Sequence, residues 1–201
     1  MIHLHVRSWH SHLAGASAPR RLVETAVADG QHTLALTDWQ TTAGAVQFAV
    51  ACREAGVTPL HGAGVGVDDF SLILLASGRE SYGNLCDLLT LVHGDRENPG
   101  LTMAQMQECA EAGGLDGLVC LTGDRWGYTS TAVQNREFEA ARRYVEGLRR
   151  LFPDRLFIEQ VKFAGAWPLT RCAARQRFSG TAMAIPTQAA GRTMTRPNLA
   201  R

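Results

Sequence analysis

Short apolar runs rich in β-branched residues alternate along the chain with longer segments in which apolar residues recur every three or four positions. Runs of the first kind predict strands, and the longer pattern predicts amphipathic helices. The strands are predicted at residues 2–6, 33–37, 58–65, 70–76, 117–121, 156–161 and 183–187. Several of these runs are apolar throughout, which is typical of strands covered on both faces. The alternation therefore predicts an α/β fold with a mainly parallel sheet.

Five helices are predicted between these strands, at residues 19–28, 43–55, 81–93, 103–112 and 132–151. Pro19 suits the first turn of a helix, and Gly56 and Gly94 follow the ends of the second and third helices. Seven strands with intervening helices fit either a βα barrel or a doubly wound sheet. In both architectures the functional side chains gather at the carboxyl ends of the strands.

Length and charge narrow the classes of protein further. The 201 residues, 45% of them hydrophobic, predict a single domain over residues 1–201. A net charge of +1 provides no electrostatic footprint for nucleic acid. The chain contains no apolar run of the roughly 18 residues that span a bilayer. Its five cysteines are widely spaced without a Cys-x-x-Cys pair, which predicts reduced thiols in a cytoplasmic protein.

Histidines concentrate near the N-terminus, where residues 3–12 hold four of the seven. On a strand, His3 and His5 point to the same face because the side-chain period is two. Neutral imidazoles suit zinc or manganese, and Asp38, at the carboxyl end of a predicted strand, offers a carboxylate to the same site. Taken alone, the pair is equally compatible with a structural role.

Five further segments, at residues 3–8, 34–38, 59–64, 82–86 and 119–123, read HLHVRS, LALTD, PLHGAG, YGNLC and VCLTG. In this order they resemble the polymerase and histidinol phosphatase (PHP) domain, in particular the N-terminal PHP domain of bacterial C-family DNA polymerases, both the replicative alpha subunit and its error-prone relative. The resemblance covers essentially the whole chain. It implies a distorted (βα)7 barrel, similar to a TIM barrel, and in active members a three-metal site that hydrolyses phosphoesters.

The family's metal ligands carry over to this chain only in part. His3 and His5 match the opening His-x-His pair, and Asp38 matches the aspartate of the Thr-Asp-His motif. Asp124 stands where the family has cysteine or histidine. The other expected ligands fall on Ala14, Trp39, Gly64, Ser71, Arg192 and Met194. Neighbouring divalent cations need anionic oxygens to offset their repulsion, and a guanidinium opposes them, so the resemblance implies a degenerate metal site.

The resulting expectation is a stand-alone or truncated PHP domain that acts as a non-catalytic structural module in DNA replication or translesion synthesis. No residue is assigned a catalytic role and no cofactor is expected; Trp39 and Met194 are expected to fill part of the barrel mouth. The expected partner is a polymerase body encoded by another chain, with weak or no direct binding of nucleic acid. The alternative is a metal-dependent phosphoesterase that binds substoichiometric zinc or manganese. It would use His3, His5, Asp38 and Asp124, with His10, His12 or His61 as substitutes.

Overall fold

A computed structural model describes residues 2–159 and the backbone of Thr181–Ala182. The strands in this part of the chain are β1 His3–His5, β2 Thr33–Trp39, β3 Thr58–Val67, β4 Phe70–Ala76, β5 Leu118–Leu121, β6 Leu156–Phe157 and β7 Thr181–Ala182. The helices are α1 Pro19–Ala28, α2 Ala45–Ala55, α3 Arg79–Val92, α4 Met103–Glu111, α5 Tyr128–Gln134 and α6 Phe138–Leu151. The predicted α/β class is confirmed. The predicted strand at 183–187 lies outside the described residues.

The described strands form one mixed sheet in the order β6-β5-β4-β3-β2-β1-β7. Neighbours are parallel at β1-β2, β2-β3 and β5-β6, and antiparallel at β3-β4, β4-β5 and β1-β7. The prediction of a mainly parallel sheet was therefore wrong for this part of the chain. One cause is a two-residue turn at Asp68 and Asp69, whose φ angles are both positive, at 46° and 68°. A tight turn of this kind folds β4 back as an antiparallel hairpin on β3.

Curvature of the sheet brings β1 close to the end of β6. Nδ1 of His5 on β1 lies 2.8 Å from Oε1 of Glu159, which follows β6. Five steps between neighbouring strands separate β1 from β6, and in a flat sheet these would span roughly 24 Å. The contact therefore requires the six strands from β1 to β6 to curl into a half-barrel.

Helices and the curled sheet enclose three apolar clusters. Inside the curl, Leu4, Ala35, Ile73, Leu75 and Leu121 are buried together. On the outer face, α1 and α2 cover β2 with a cluster that includes the fully buried Phe48. A larger outer cluster lies beneath α3, α4 and α6. Apolar layers on both faces explain why the strand sequences are continuously apolar.

The predicted helix at 132–151 is in fact two helices, α5 and α6. Arg136 between them adopts a left-handed conformation with φ of 61°. The N–H of Glu137 donates to the carbonyl of Ala132 at 2.8 Å, and that of Arg136 donates to Val133 at 3.1 Å. This pair of bonds is the Schellman ending, in which glycine is the usual left-handed residue. Because arginine holds that position, the sequence carried no signal of the break. None of the described helices is long and apolar enough to span a bilayer.

Candidate functional site

The candidate residues gather at one edge of the curled sheet. The mutual directions of the strands place the carboxyl ends of β1, β2, β3, β5 and β6 at this edge, together with the beginning of β4. This is where connecting loops meet in barrels and open α/β sheets, and where functional side chains collect. We call it the carboxyl edge.

Asp38 near the end of β2 is 1% exposed, and both of its carboxylate oxygens are engaged. Oδ1 accepts hydrogen bonds from the backbone N–H and from the hydroxyl of two different serines, Ser8 and Ser11, each at 2.6 Å. Oδ2 accepts the Ser8 hydroxyl at 2.7 Å. Short bonds to a carboxylate are strong ones. Asp38 is thus the anchor of the loop that follows β1, and a metal ion would have to displace these donors.

Trp39 ends β2 with its half-buried indole ring packed against the glycines of β3. A Cβ atom added at Gly64 would lie 2.9 Å from Cε3 of this ring, and one added at Gly66 would lie 3.6 Å from Cζ2. The Arg7 guanidinium carbon stands 5.5 Å from the ring centroid, which is cation–π distance. Where the family resemblance places an imidazole and a carboxylate, this chain therefore has an indole packed on glycine beside a cation.

His5 and Glu159 form a buried polar pair, with side chains 5% and 0% exposed. The backbone N–H of Glu159 also donates to Oγ1 of Thr122 at 3.1 Å, which ties the residue to the end of β5. Among the described residues, the second carboxylate oxygen of Glu159 is buried without a hydrogen-bond partner. Sequence reasoning assigned no role to Glu159. Its signal was a single acidic residue within the apolar run at 156–161, at the carboxyl end of a predicted strand.

The remaining predicted positions lie apart from this pair. His3 pairs with Leu34 across β1 and β2, and its buried Nδ1 has no partner among the described residues. Asp124 accepts the backbone N–H of Trp126 at 2.9 Å and so shapes its own turn. Ser71 at the start of β4 is buried directly beneath Gly123. Ala14 lies in the loop after β1. Arg192 and Met194 lie outside the described residues, so their predicted places stay predictions.

The suggested substitute ligands have other surroundings. The His61 ring packs edge-on between Phe48 of α2 and Tyr82 of α3, with centroids 5.7 Å away on each side. Burial lowers the pKa of His61 below its ordinary value. The ring of His10 lies beside Gly44, with its Cδ2 atom 2.9 Å from where a Cβ would stand there. His12 is exposed.

Metal binding requires several ligands to converge on one point. Across residues 2–159, no three His, Cys, Asp or Glu side chains form a group that could hold a metal ion. His3, His5, Asp38 and Asp124 are therefore not assembled as one ligand set in this structure. The donor set does not fit the multinuclear metal site that the family resemblance implies.

A curled α/β sheet that opens with His-x-His and ends its second strand with Thr-Asp defines a class, and comparison with known proteins gives its family. Residues 3–161 match the family model of the PHP domain, so the chain belongs to the PHP domain family. It is 35% identical over 205 aligned residues to an error-prone DNA polymerase of Symbiobacterium thermophilum, an alignment that covers 92% of this chain and 18% of the polymerase. It is 33% identical to the DNA polymerase III subunit alpha of Bacillus subtilis, over 70% of this chain and 13% of that subunit.

The chain thus spans less than a fifth of the length of these two polymerases. Among solved structures, an amidohydrolase from Chromobacterium violaceum aligns with 56% of this chain and 39% of its own, at 29% identity and a TM-score of 0.41. That score is too low for the likeness to carry a functional conclusion.

Proposed function

We propose that this chain is a PHP domain with a lost metal site, and that it serves as a non-catalytic structural module of a C-family DNA polymerase in replication or translesion synthesis. The observation that carries the proposal is the packing of Trp39 on Gly64, which fills with an apolar ring the place of two expected ligands. We further propose that the half-barrel closes as a distorted (βα)7 barrel and that the protein acts in the cytoplasm.

Electrostatics supports the loss of the metals. Two or three divalent cations close together need several anionic oxygens around them. At the carboxyl edge, the Asp38 carboxylate is taken up by serine donors, and the oxygen of Glu159 nearest to His5 is taken up by that ring. The guanidinium of Arg7 beside Trp39 adds a fixed positive charge, which repels cations.

The partner we propose is a polymerase body carried by another chain. The similarity to error-prone and replicative polymerases supports this, because the matched region is a small part of a much longer enzyme. The net charge of +1 favours only weak direct binding of DNA, with a Kd no tighter than the non-specific range of roughly 10⁻⁴ to 10⁻⁶ M at physiological salt.

Elemental analysis of protein purified without chelator tests the loss of the metal site. We expect no stoichiometric zinc, manganese or iron, and no change in thermal midpoint after treatment with EDTA. The matched experiment uses a PHP domain of the same length cut from the Bacillus subtilis alpha subunit, purified in the same buffers. Two or more metal equivalents per chain of our protein would refute the proposal.

One observation favours the alternative of a metal-dependent phosphoesterase. Nδ1 of His3 and Oε2 of Glu159 are buried without partners among the described residues, and a bound cation would satisfy such atoms. Turnover of bis(p-nitrophenyl) phosphate in the presence of added zinc or manganese tests this reading. Activity that is abolished by the His3→Ala substitution and retained by His12→Ala would establish it in place of the structural module.

A further inference from the structure

We propose that residues 8–17, which we call the 8–17 loop, are the docking element through which this domain binds its polymerase body. Trp9 and Leu13 would enter an apolar pocket whose rim is acidic. The inference rests on the proposed function and adds to it the surface and the chemistry of the contact.

The loop displays two large apolar side chains to solvent. Leu13 is 98% exposed and Trp9 is 53% exposed. Leu13 also has a φ of 59°, a left-handed conformation that is unfavourable for a leucine. Within the described residues, Leu13 buries nothing that would offset either cost. Tryptophan is among the residues most enriched at the centres of protein interfaces.

Internal bonds hold the 8–17 loop in one conformation although its tip is exposed. Asp38 accepts three short hydrogen bonds from Ser8 and Ser11, and the Trp9 N–H donates to the Ser17 carbonyl at 2.9 Å. Gly15 packs so closely on the strand end that an added Cβ would be 1.8 Å from the carbonyl oxygen of Ser8. A loop already fixed in its bound form loses little conformational entropy on binding, which favours affinity.

Charge identifies the kind of partner. From Arg7 to Ser17 the chain has no acidic residue, and it carries one arginine and two histidines, His10 and His12. The nearest carboxylate, Asp38, is buried and already bonded. A surface that is apolar and cationic is complementary to an apolar pocket with carboxylates at its rim.

A protein pocket fits these residues better than a nucleic-acid strand does. Single-stranded nucleic acid is bound by aromatic rings that stack on bases together with a groove of several phosphate contacts. Here the most exposed side chain is Leu13, which offers no ring for stacking. The single permanent cation of the segment, Arg7, already lies against Trp39.

The test measures binding of the full chain to each C-family polymerase of its source genome, expressed without that polymerase's own PHP domain. Affinity is measured by biolayer interferometry for the parent chain, the Trp9→Ala and Leu13→Ser variants, and their double variant. Two controls remove equally exposed apolar side chains elsewhere, Trp126→Ala and Val46→Ser. Thermal midpoints confirm that all variants fold.

We expect each loop substitution to weaken binding by roughly thirty-fold, as for interface hot spots, and the controls to change it by less than threefold. Binding that is unaffected by the double variant would overturn the docking surface while leaving the proposed function intact. Failure of every polymerase body to bind the parent chain would instead refute the proposed function. Binding of a 20-nucleotide oligo-dT that is lost with Trp9→Ala would show that the loop recognises nucleic acid, and would also overturn the proposal.

Discussion

Two regions of the carboxyl edge depart from a metal site in different ways. At the β2–β3 corner, formed by Arg7, Trp39, Gly64 and Gly66, expected ligand positions are occupied by an apolar ring on glycine, with the guanidinium beside it. At the β1–β6 seam, formed by His5 and Glu159, polar side chains remain and bond to each other. The corner has exchanged chemistry for packing, whereas the seam has kept polar groups in a structural role.

The two regions consequently differ in how they respond to change. At the corner, the two substitutions depend on each other, because the indole of Trp39 occupies the space into which any side chain at Gly64 would extend. At the seam, the buried pair joins strands from the two ends of the curl, so it has a structural use even without a metal. Loss of catalytic chemistry therefore leaves one region locked and the other merely reassigned.

The largest expected effect comes from restoring a carboxylate at the corner with Gly64→Glu. The new Cβ would stand 2.9 Å from the Trp39 ring, and the carboxylate would be buried beside it. Overpacking and an unpaired buried charge together should lower the free energy of unfolding by about 4 kcal/mol or more. Urea denaturation measures the change.

A second substitution, Trp39→His, should recover at least about 1 kcal/mol in the Gly64→Glu background, since coupled neighbours are non-additive. Gly83→Ala on α3 is the matched control, because no atom lies within 4 Å of its added Cβ. It should be neutral or slightly stabilising. Additive effects of the two corner substitutions would show that the corner is not locked.

The next effect concerns the seam. Replacing Glu159 with alanine leaves His5 buried without its partner and should cost about 3 kcal/mol of unfolding free energy. Glu159→Gln keeps a hydrogen-bonding oxygen at the same reach and should cost roughly half as much. Denaturation curves of the two variants give the comparison. Equal stability of Glu159→Ala and the parent chain would mean that the seam has no structural role.

Much of the fold could be predicted from the sequence because local signals were strong. The bounds of β4 and α1 were predicted to the residue, and the other described strands were placed within a few residues. Strand direction was not predictable from apolar runs, since a continuous run fits both parallel and antiparallel strands. The break at Arg136 and the turn at Asp68 and Asp69 were missed because other residues hold left-handed positions usual for glycine.

The site was harder to predict because it depends on contacts between distant segments. The family resemblance identified Trp39 and Gly64 as positions to compare, but their direct contact is a property of the register between β2 and β3. Likewise, Glu159 is 154 residues from His5 in the chain, and only the curl of the sheet brings them together. Periodicity along a single segment contains no information of this kind.

A smaller effect should follow from Ser11→Ala, which links the corner to the 8–17 loop. Its hydroxyl donates to Asp38 and accepts the backbone N–H of Trp39 at 2.9 Å. Removing both bonds should cost about 2 kcal/mol and speed hydrogen exchange across the loop. Thr25→Ala, which removes an exposed hydroxyl bonded to its own helix, is the control. Unchanged exchange in the loop would show that Asp38 does not hold it in place.

The smallest expected effect is the pH dependence caused by His61, which lies outside both regions and provides a baseline for titration. Burial lowers the pKa of His61 in the folded chain below the value of about 6.5 expected when unfolded. The unfolded chain therefore takes up a proton first as the pH falls. The contribution of His61 to stability is complete above about pH 6.5 and is progressively lost below it, until the pH reaches the folded pKa.

The comparison that isolates this effect is the urea midpoint of the parent chain and of His61→Phe, measured from pH 8 to pH 5. Phenylalanine keeps the edge-on packing with Phe48 and Tyr82 but cannot bind a proton. The difference between the two midpoints should be constant above pH 7 and should shift in favour of the variant below pH 6.5. A difference that is flat over the whole range would mean that the ring takes up its proton as easily in the folded chain as in the unfolded one, so that any acid destabilisation must arise elsewhere, with the His5–Glu159 seam the first place to look.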